Sequence, residues 1–133
     1  MEIKAYSTFR LDEIVHLYKS VGWTNYLQRV EVLEQAYKNS LCVLGAYDQD
    51  KLVGIVRAVG DGVTIVFIQD LIVLPEYQRK GIGTLLLESV MEKYKDVYQM
   101  ELLTDNTEKT KSFYTSVGFQ STEDLDCVTF IRM

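Results

Sequence analysis

Apolar positions change their period several times along the chain, and each change predicts a boundary. Alternation in "EIKAY" (residues 2–6) predicts a short first strand. Leu11, Ile14, Val15 and Tyr18 then recur at helical spacing, predicting a helix from about Leu11 to Ser20. The segment "VGWTNY" breaks that stripe, and a second helix is expected from about Gln28 to Asn39. "LCVLGAYD" and "KLVGIVRAVG" read as strands joined by the polar turn Gln49-Asp50. Asp61-Gly62 predicts a type I′ hairpin turn, whose two central residues need positive φ. The apolar strand "VTIVFIQDLIVL" follows, then a helix from about Gly81 to Lys95 and the strand "QMELLT". A short helix from about Glu108 to Val117 and two strands, "GFQSTED" and "DCVTFIRM", complete the pattern.

The early hairpins favour antiparallel pairing, and the strand-helix-strand unit from Thr64 to Leu103 favours a parallel crossover. The expectation is an α/β fold with a mixed, mostly antiparallel central sheet of six to seven strands, flanked by about four helices on both faces. We find no internal repeat, low-complexity stretch or linker, so residues 1–133 read as a single domain.

Two places break the local rules. Gly81 and Gly83 stand where the longest helix must nucleate, directly behind Gln78, Arg79 and Lys80, although glycine costs a helix about 1 kcal/mol relative to alanine. A helix start offers unpaired N–H groups and the positive end of the dipole, so an anion such as a diphosphate fits there when side chains leave it room. Arg79 and Lys80 would add charge and Thr84 a hydroxyl. A plain glycine-rich turn is the simpler reading. The order of residues fits neither a P-loop, whose lysine follows the second glycine, nor a dinucleotide fingerprint, which needs a third glycine or alanine. The second break is the polar pair Gln69-Asp70 inside an otherwise apolar strand. A β-bulge there would free the backbone groups of Leu71, Ile72 and Val73 for an extended ligand. Alternatively, Asp70 simply caps a turn.

Composition narrows the chemistry. Fourteen basic and nineteen acidic side chains give a net charge of −5, which disfavours nucleic acid or an anionic membrane as partner and mildly favours a cationic small molecule. Without a signal-peptide-like segment or a run long enough to span a bilayer, a cytoplasmic location is expected. The single histidine, His16, lies off the apolar stripe of its helix, so neither a Ser-His-Asp triad nor a His-rich metal site is available, and no metal is expected. Cys42 and Cys127 read as reduced, buried thiols in strands.

"QRKGIG" (residues 78–83) after a strand, followed at a distance by "FYTSVGF" (residues 113–119), resembles the GNAT superfamily of acetyl-CoA-dependent N-acetyltransferases across essentially the whole chain. The stretch "SVGW…LVGIVRAVGDG…IQDLIVLPEYQ" is similar to small bacterial members and, more distantly, to plant arylalkylamine-type acetyltransferases. The resemblance implies acetyl-CoA as co-substrate, with Leu71, Ile72 and Val73 pairing with the pantetheine arm. It further implies that Gln78, Arg79, Lys80, Gly81, Ile82, Gly83 and Thr84 hold the diphosphate and that Tyr114 stands beside the sulfur. Many members carry asparagine seven residues before that tyrosine. Here Thr107 occupies the position and Asn106 precedes it, so the cofactor contact falls to one of the two.

Acetyl transfer requires a neutral amine, whereas a lysine-like amine with pKa ~10.4 is protonated at pH 7 by roughly 4.6 kcal/mol. Asp70, Glu101 and Asp105 are the candidate bases, with Asp70 preferred because it interrupts the strand. The Val73 N–H would support the oxyanion. Trp23 and Tyr26, in the break between the first two helices, either staple that turn or shape an acceptor pocket for a flat or cationic amine. The expected acceptor is a small primary amine, with a protein amine and a non-catalytic acyl-CoA-binding module as the other readings. A homodimer stays open.

Overall fold

A computed structural model describes all residues from Met1 to Met133. Five strands form one sheet in the order β1-β2-β3-β4-β5: β1 (Glu2–Ala5), β2 (Cys42–Asp48), β3 (Lys51–Gly60), β4 (Ile65–Val73) and β5 (Gln99–Leu102). The first three pairings are antiparallel and β4 pairs with β5 in parallel, as the crossover pattern predicted. Four α-helices accompany the sheet: α1 (Leu11–Ser20), α2 (Leu33–Lys38), α3 (Ile82–Lys93) and α4 (Glu108–Ser116). None is long and apolar enough to cross a membrane.

Central β3 is buried on both faces from Leu52 to Ala58. On one face a Cβ at Gly54 would meet Ile82 and Leu86, so α3 packs there. Ile82, Leu86, Leu87 and Val90 are the buried stripe of that helix, and each such side chain contributes about 1.5–3 kcal/mol on burial. Tyr18 of α1 and Tyr37 of α2 meet Asp70 and Arg57 on the opposite face.

The bulge in β4 is present. Ala58 pairs with Ile68 and Arg57 with Asp70, leaving Gln69 without a partner on β3. Cross-strand partners share a face, so Ile68 lies on the α3 side with Ala58, and Asp70 on the α1/α2 side with Arg57.

Several expectations need correction. The sheet has five strands, not six to seven. The stretch read as "GFQSTED" is a helix stop followed by a 3₁₀ turn over Thr122–Leu125, and residues 126–133 form no strand. Their apolar alternation fits a strand, but a strand exists only where a partner takes up its backbone groups, and Val128, Phe130 and Ile131 stand exposed. The buried-strand reading therefore holds for Cys42 alone, and Cys127 is exposed. The Asp61-Gly62 turn is not type I′. Only Gly62 of the pair has positive φ, while the Asp61 carboxylate gathers the N–H groups of Val63, Thr64 and Ile65 into a longer loop. The second predicted helix also begins late: Tyr26–Val32 is 3₁₀-like and broken at Arg29 (φ −141°, ψ 59°) before α2 starts.

Residues Met1–Leu103, with the whole sheet, and Thr104–Met133, with α4, form two separate compact units.

Candidate active site

In the first unit the last parallel pair of β4 with β5 is Ile68–Leu102. Beyond it, from the bulge to Val73, β4 is paired only with β3 and its other edge is open. The Leu74 N–H donates to the Val53 carbonyl at 2.9 Å. Backbone groups alternate along a strand, so those of Ile72 also turn toward β3, and those of Leu71 and Val73 turn to the open side. Of the three residues expected at this edge, Ile72 therefore offers no open backbone group; its side chain is buried. The Gln78 amide donates to the Val73 carbonyl at 3.0 Å. This bond ties the glycine-bearing turn to the end of β4.

That turn runs through Pro75–Tyr77 into α3. Gly81 is the helix N-cap, with φ 81°, and a Cβ there would meet nothing within 4 Å. Glycine is required at this position by the left-handed backbone, and its small size leaves the helix mouth clear. Arg79 also adopts positive φ (64°), an uncommon conformation for a side-chain-bearing residue. Gln78, Arg79, Lys80 and Gly81 are exposed, Gly83 and Thr84 half-buried, and Ile82 points into the core. Lys80 lies 5.3 Å from the Tyr77 ring centroid, which restrains its ammonium beside the turn. The N–H groups of Ile82, Gly83 and Thr84, in the first helical turn, have no intrahelical acceptor.

Asp70 lies at the centre of a polar network. Its Oδ2 accepts from Arg57 Nε at 2.6 Å and from the Tyr18 hydroxyl at 2.9 Å; its Oδ1 accepts from the Tyr26 hydroxyl at 3.4 Å. Both ionic side chains are almost completely buried, at 6% and 0% exposure. The Tyr18 and Tyr37 hydroxyls share a 2.8 Å hydrogen bond, and Arg57 Nη1 donates to Ser40 Oγ at 3.2 Å. Burial opposes the charge on Arg57, and the facing carboxylate more than restores it, holding the guanidinium above its ordinary value. Burial first, then the charge of Asp70, pushes the Tyr18 hydroxyl far above the usual phenol range.

The Trp23 and Tyr26 rings pack against the buried ring of Tyr18, with centroids 6.3 and 5.0 Å away. Tyr26 also accepts from the exposed Gln69 amide at 2.9 Å. The sequence reading missed Arg57, Tyr18 and Tyr37. A lone arginine inside "LVGIVRAVG" was the available signal, since a cation in a buried strand requires a partner.

Of the other candidate bases, Glu101 is exposed on β5 opposite Phe67, hence on the same sheet face as Asp70. Asp105 and Asn106 are exposed in the second unit, on the loop before α4. Thr107 is the N-cap of α4, its hydroxyl oxygen accepting from the Thr110 N–H at 3.3 Å. Tyr114 is half-buried and contacts Phe113 and Phe119 edge-on; burial raises its hydroxyl above the usual value.

The family model described as "Acetyltransferase (GNAT) domain" matches residues 39–121. The chain belongs to the GNAT acetyltransferase family. A GNAT-family acetyltransferase from Streptococcus pneumoniae superposes with TM-score 0.90 at 45% identity, over 99% of this chain and 96% of that one. An uncharacterised ycf52-like N-acetyltransferase of Prochlorococcus marinus is 32% identical over 118 residues, 84% of this chain but only 63% of the relative. This chain thus spans less than two thirds of that relative. The GNAT fold is shared with aminoglycoside N-acetyltransferase AAC(6')-Iy, solved with CoA, at TM-score 0.75 and 18% identity over 99% and 93% of the two chains.

Proposed function

We propose that the protein moves an acetyl group from acetyl-CoA to a small primary amine by direct transfer in a ternary complex. The observation that carries this reading is the open β4 edge beyond Gln69, leading within one unit into the Gly81 helix mouth. An extended arm bearing amides, with a diphosphate at its end, matches both features, and CoA in a protein of the same fold supports the match.

Leu71 pairs with a pantetheine amide, and the Val73 N–H stands ready for the acetyl oxygen as negative charge develops. The first-turn N–H groups of α3 take the diphosphate, with Arg79, Lys80 and Thr84 at the rim. Gln78 serves by fixing the turn, its amide being engaged by Val73. Asn106 supplies the cofactor contact assigned to its neighbourhood, because the Thr107 hydroxyl is engaged as a helix cap. Trp23 and Tyr26 face the acceptor.

Tyr114 hydrogen-bonds the departing thiolate. A thiol resembling cysteine has pKa ~8.5 against ~10 for tyrosine, so full proton transfer is uphill by roughly 2 kcal/mol even before burial raises the phenol further. Donation of a hydrogen bond, without transfer, is the role that fits. Asp70 already accepts from Arg57 and two tyrosines, which makes it a positioning group in preference to a free base. Glu101, exposed on the same face, is the better-placed carboxylate to collect the amine's proton.

Gly83→Val should weaken acetyl-CoA binding at least tenfold, about 1.4 kcal/mol, by blocking approach to the helix amides. Titration calorimetry on the folded variant checks this, and unchanged affinity would move the diphosphate elsewhere. Thiol release from acetyl-CoA over amines, polyamines and lysine peptides tests the reaction itself. Tight acetyl-CoA binding with no transfer to any of them would leave an acyl-CoA-binding module.

A further inference from the structure

The sheet ends in two unequal edges. The outer strand β1 carries Glu2 and Lys4, paired at 3.6 Å, and charges of this kind keep an edge from pairing with another chain. At the opposite edge β5 presents half-buried Met100 and Leu102 and is followed by Leu103, 54% exposed. The Gln99 N–H donates to the Thr64 carbonyl, just before β4, at 3.0 Å. Backbone groups alternate along a strand, so those of Gln99 and Glu101 are used toward β4, and those of Met100 and Leu102 face outward. Such an unpaired row is a template for a further strand.

The chain also holds a segment with the pattern of a strand and no strand to join. Residues 128–133 read Val-Thr-Phe-Ile-Arg-Met, rich in β-branched and aromatic side chains. Phe130 is 92% exposed, and Val128, Ile131 and Met133 are exposed with it. No side chain in residues 104–133 is buried.

One register fits edge and segment together. An antiparallel strand with Arg132 opposite Glu101 sets Ile131 opposite Leu102 and Met133 opposite Met100. The open backbone groups of Met100 and Leu102 then meet those of Met133 and Ile131. Cross-strand partners share a face, so Ile131 and Met133 extend the apolar row of Met100 and Leu102. Phe130 comes opposite exposed Leu103 on the other face, next to the two charges. Neither Glu101 nor Arg132 has an ion-pair partner in its own chain. In this register they form a non-hydrogen-bonded pair, where Cα atoms approach to about 4.5 Å. A slip of one residue would set Arg132 against the apolar row instead.

We propose that residues 130–133 of one copy pair in this register with β5 of a second copy, and that the exchange is reciprocal, giving a twofold homodimer. Each copy gives one strand and receives one, which closes the assembly. The exchange stands independently of the acetyl-transfer reading. Glu101 keeps its part in that reaction, because a carboxylate offers about four lone-pair sites and a bidentate arginine takes two.

Sedimentation of the full chain should show a dimer. Phe130→Asp should raise its dissociation constant at least tenfold while circular dichroism shows the chain still folded. Glu101→Arg should weaken the dimer likewise, and adding Arg132→Glu to the same chain should restore it. In a Cys127→Ser background, Glu101→Cys with Arg132→Cys in one chain should oxidise to a covalent dimer. A monomeric wild type, a dimer indifferent to Phe130→Asp and to the charge reversal, or the absence of any cross-link overturns the proposal. A disulfide closed within a single chain also overturns it, by assigning the segment to its own β5.

Discussion

Tyr18–Trp23 and Tyr114–Phe119 carry nearly the same six residues, Tyr-Lys-Ser-Val-Gly-Trp and Tyr-Thr-Ser-Val-Gly-Phe. They also fold alike. In each, glycine takes positive φ just past the helix, 77° at Gly22 and 102° at Gly118. The N–H of the following aromatic returns to the tyrosine carbonyl, at 3.0 Å in α1 and 2.9 Å in α4, and the glycine N–H returns one residue later. This is the Schellman stop, with its hydrophobic contact between the aromatic and the tyrosine. Even the serines agree, each hydroxyl donating to a carbonyl three residues back at 2.6 Å. The surroundings differ. Tyr18 is fully buried and holds Asp70 and Tyr37, whereas Tyr114 is half-buried among aromatic edges. Local sequence thus specifies where the helix ends, and tertiary context specifies what the tyrosine does.

The same substitution at both tyrosines separates these roles. Tyr114→Phe keeps the ring and removes the donor, so kcat should fall about 10²–10⁴-fold, with KM for acetyl-CoA and Tm little changed. A fully active variant would reduce Tyr114 to the packing role its motif already explains.

Tyr18→Phe should do the reverse. It leaves buried Asp70 and Tyr37 each short of a partner, a loss of about 1–3 kcal/mol that lowers Tm by several degrees. The pH dependence of that gap gives a second check. The folded-state value of Tyr18 is raised, so its contribution is complete below about pH 10, the unfolded value, and declines as pH rises further. The Tm gap between wild type and Tyr18→Phe should therefore narrow above about pH 10. A gap independent of alkaline pH would place the stabilisation in ring packing alone.

The smallest effects lie in the stop itself. Gly22→Ala and Gly118→Ala meet no neighbour within 4 Å, so only backbone strain opposes them, about 1–2 kcal/mol each. Gly118 lies further from the left-handed helical minimum and should cost the more. Denaturant midpoints compare them, and equal costs would mean the two stops relax alike.

The repeated stop shows how much was legible. The pattern predicted α1 to the residue, the antiparallel hairpin pairings of β2 with β3 and of β3 with β4, the parallel crossover and the bulge, because each of these follows from local periodicity or from a polar pair in an apolar run. It misplaced Gly118-Phe119 as a strand because an aromatic after glycine suits either role, and the deciding hydrogen bond reaches back to Tyr114. The two closing strands failed for want of a partner edge, which lies outside any local window. Asp70 was singled out as a polar break in an apolar strand, but its ion pair with Arg57 depends on the β3–β4 register, and that register shifts at the very residue that draws attention to the site.

The Gln69 bulge also bears on how such a protein gains or loses its activity by mutation. Removing this one residue leaves Ile68 opposite Ala58 and Asp70 opposite Arg57, so every buried side chain keeps its face and the sheet becomes more regular. The fold would tolerate the deletion of that codon, while β4 would lose the bend that parts it from β5. On the proposed function, activity and architecture should therefore be separable by a single in-frame deletion. A lineage of this fold could fall silent, or regain its opening, without passing through an unfolded ancestor.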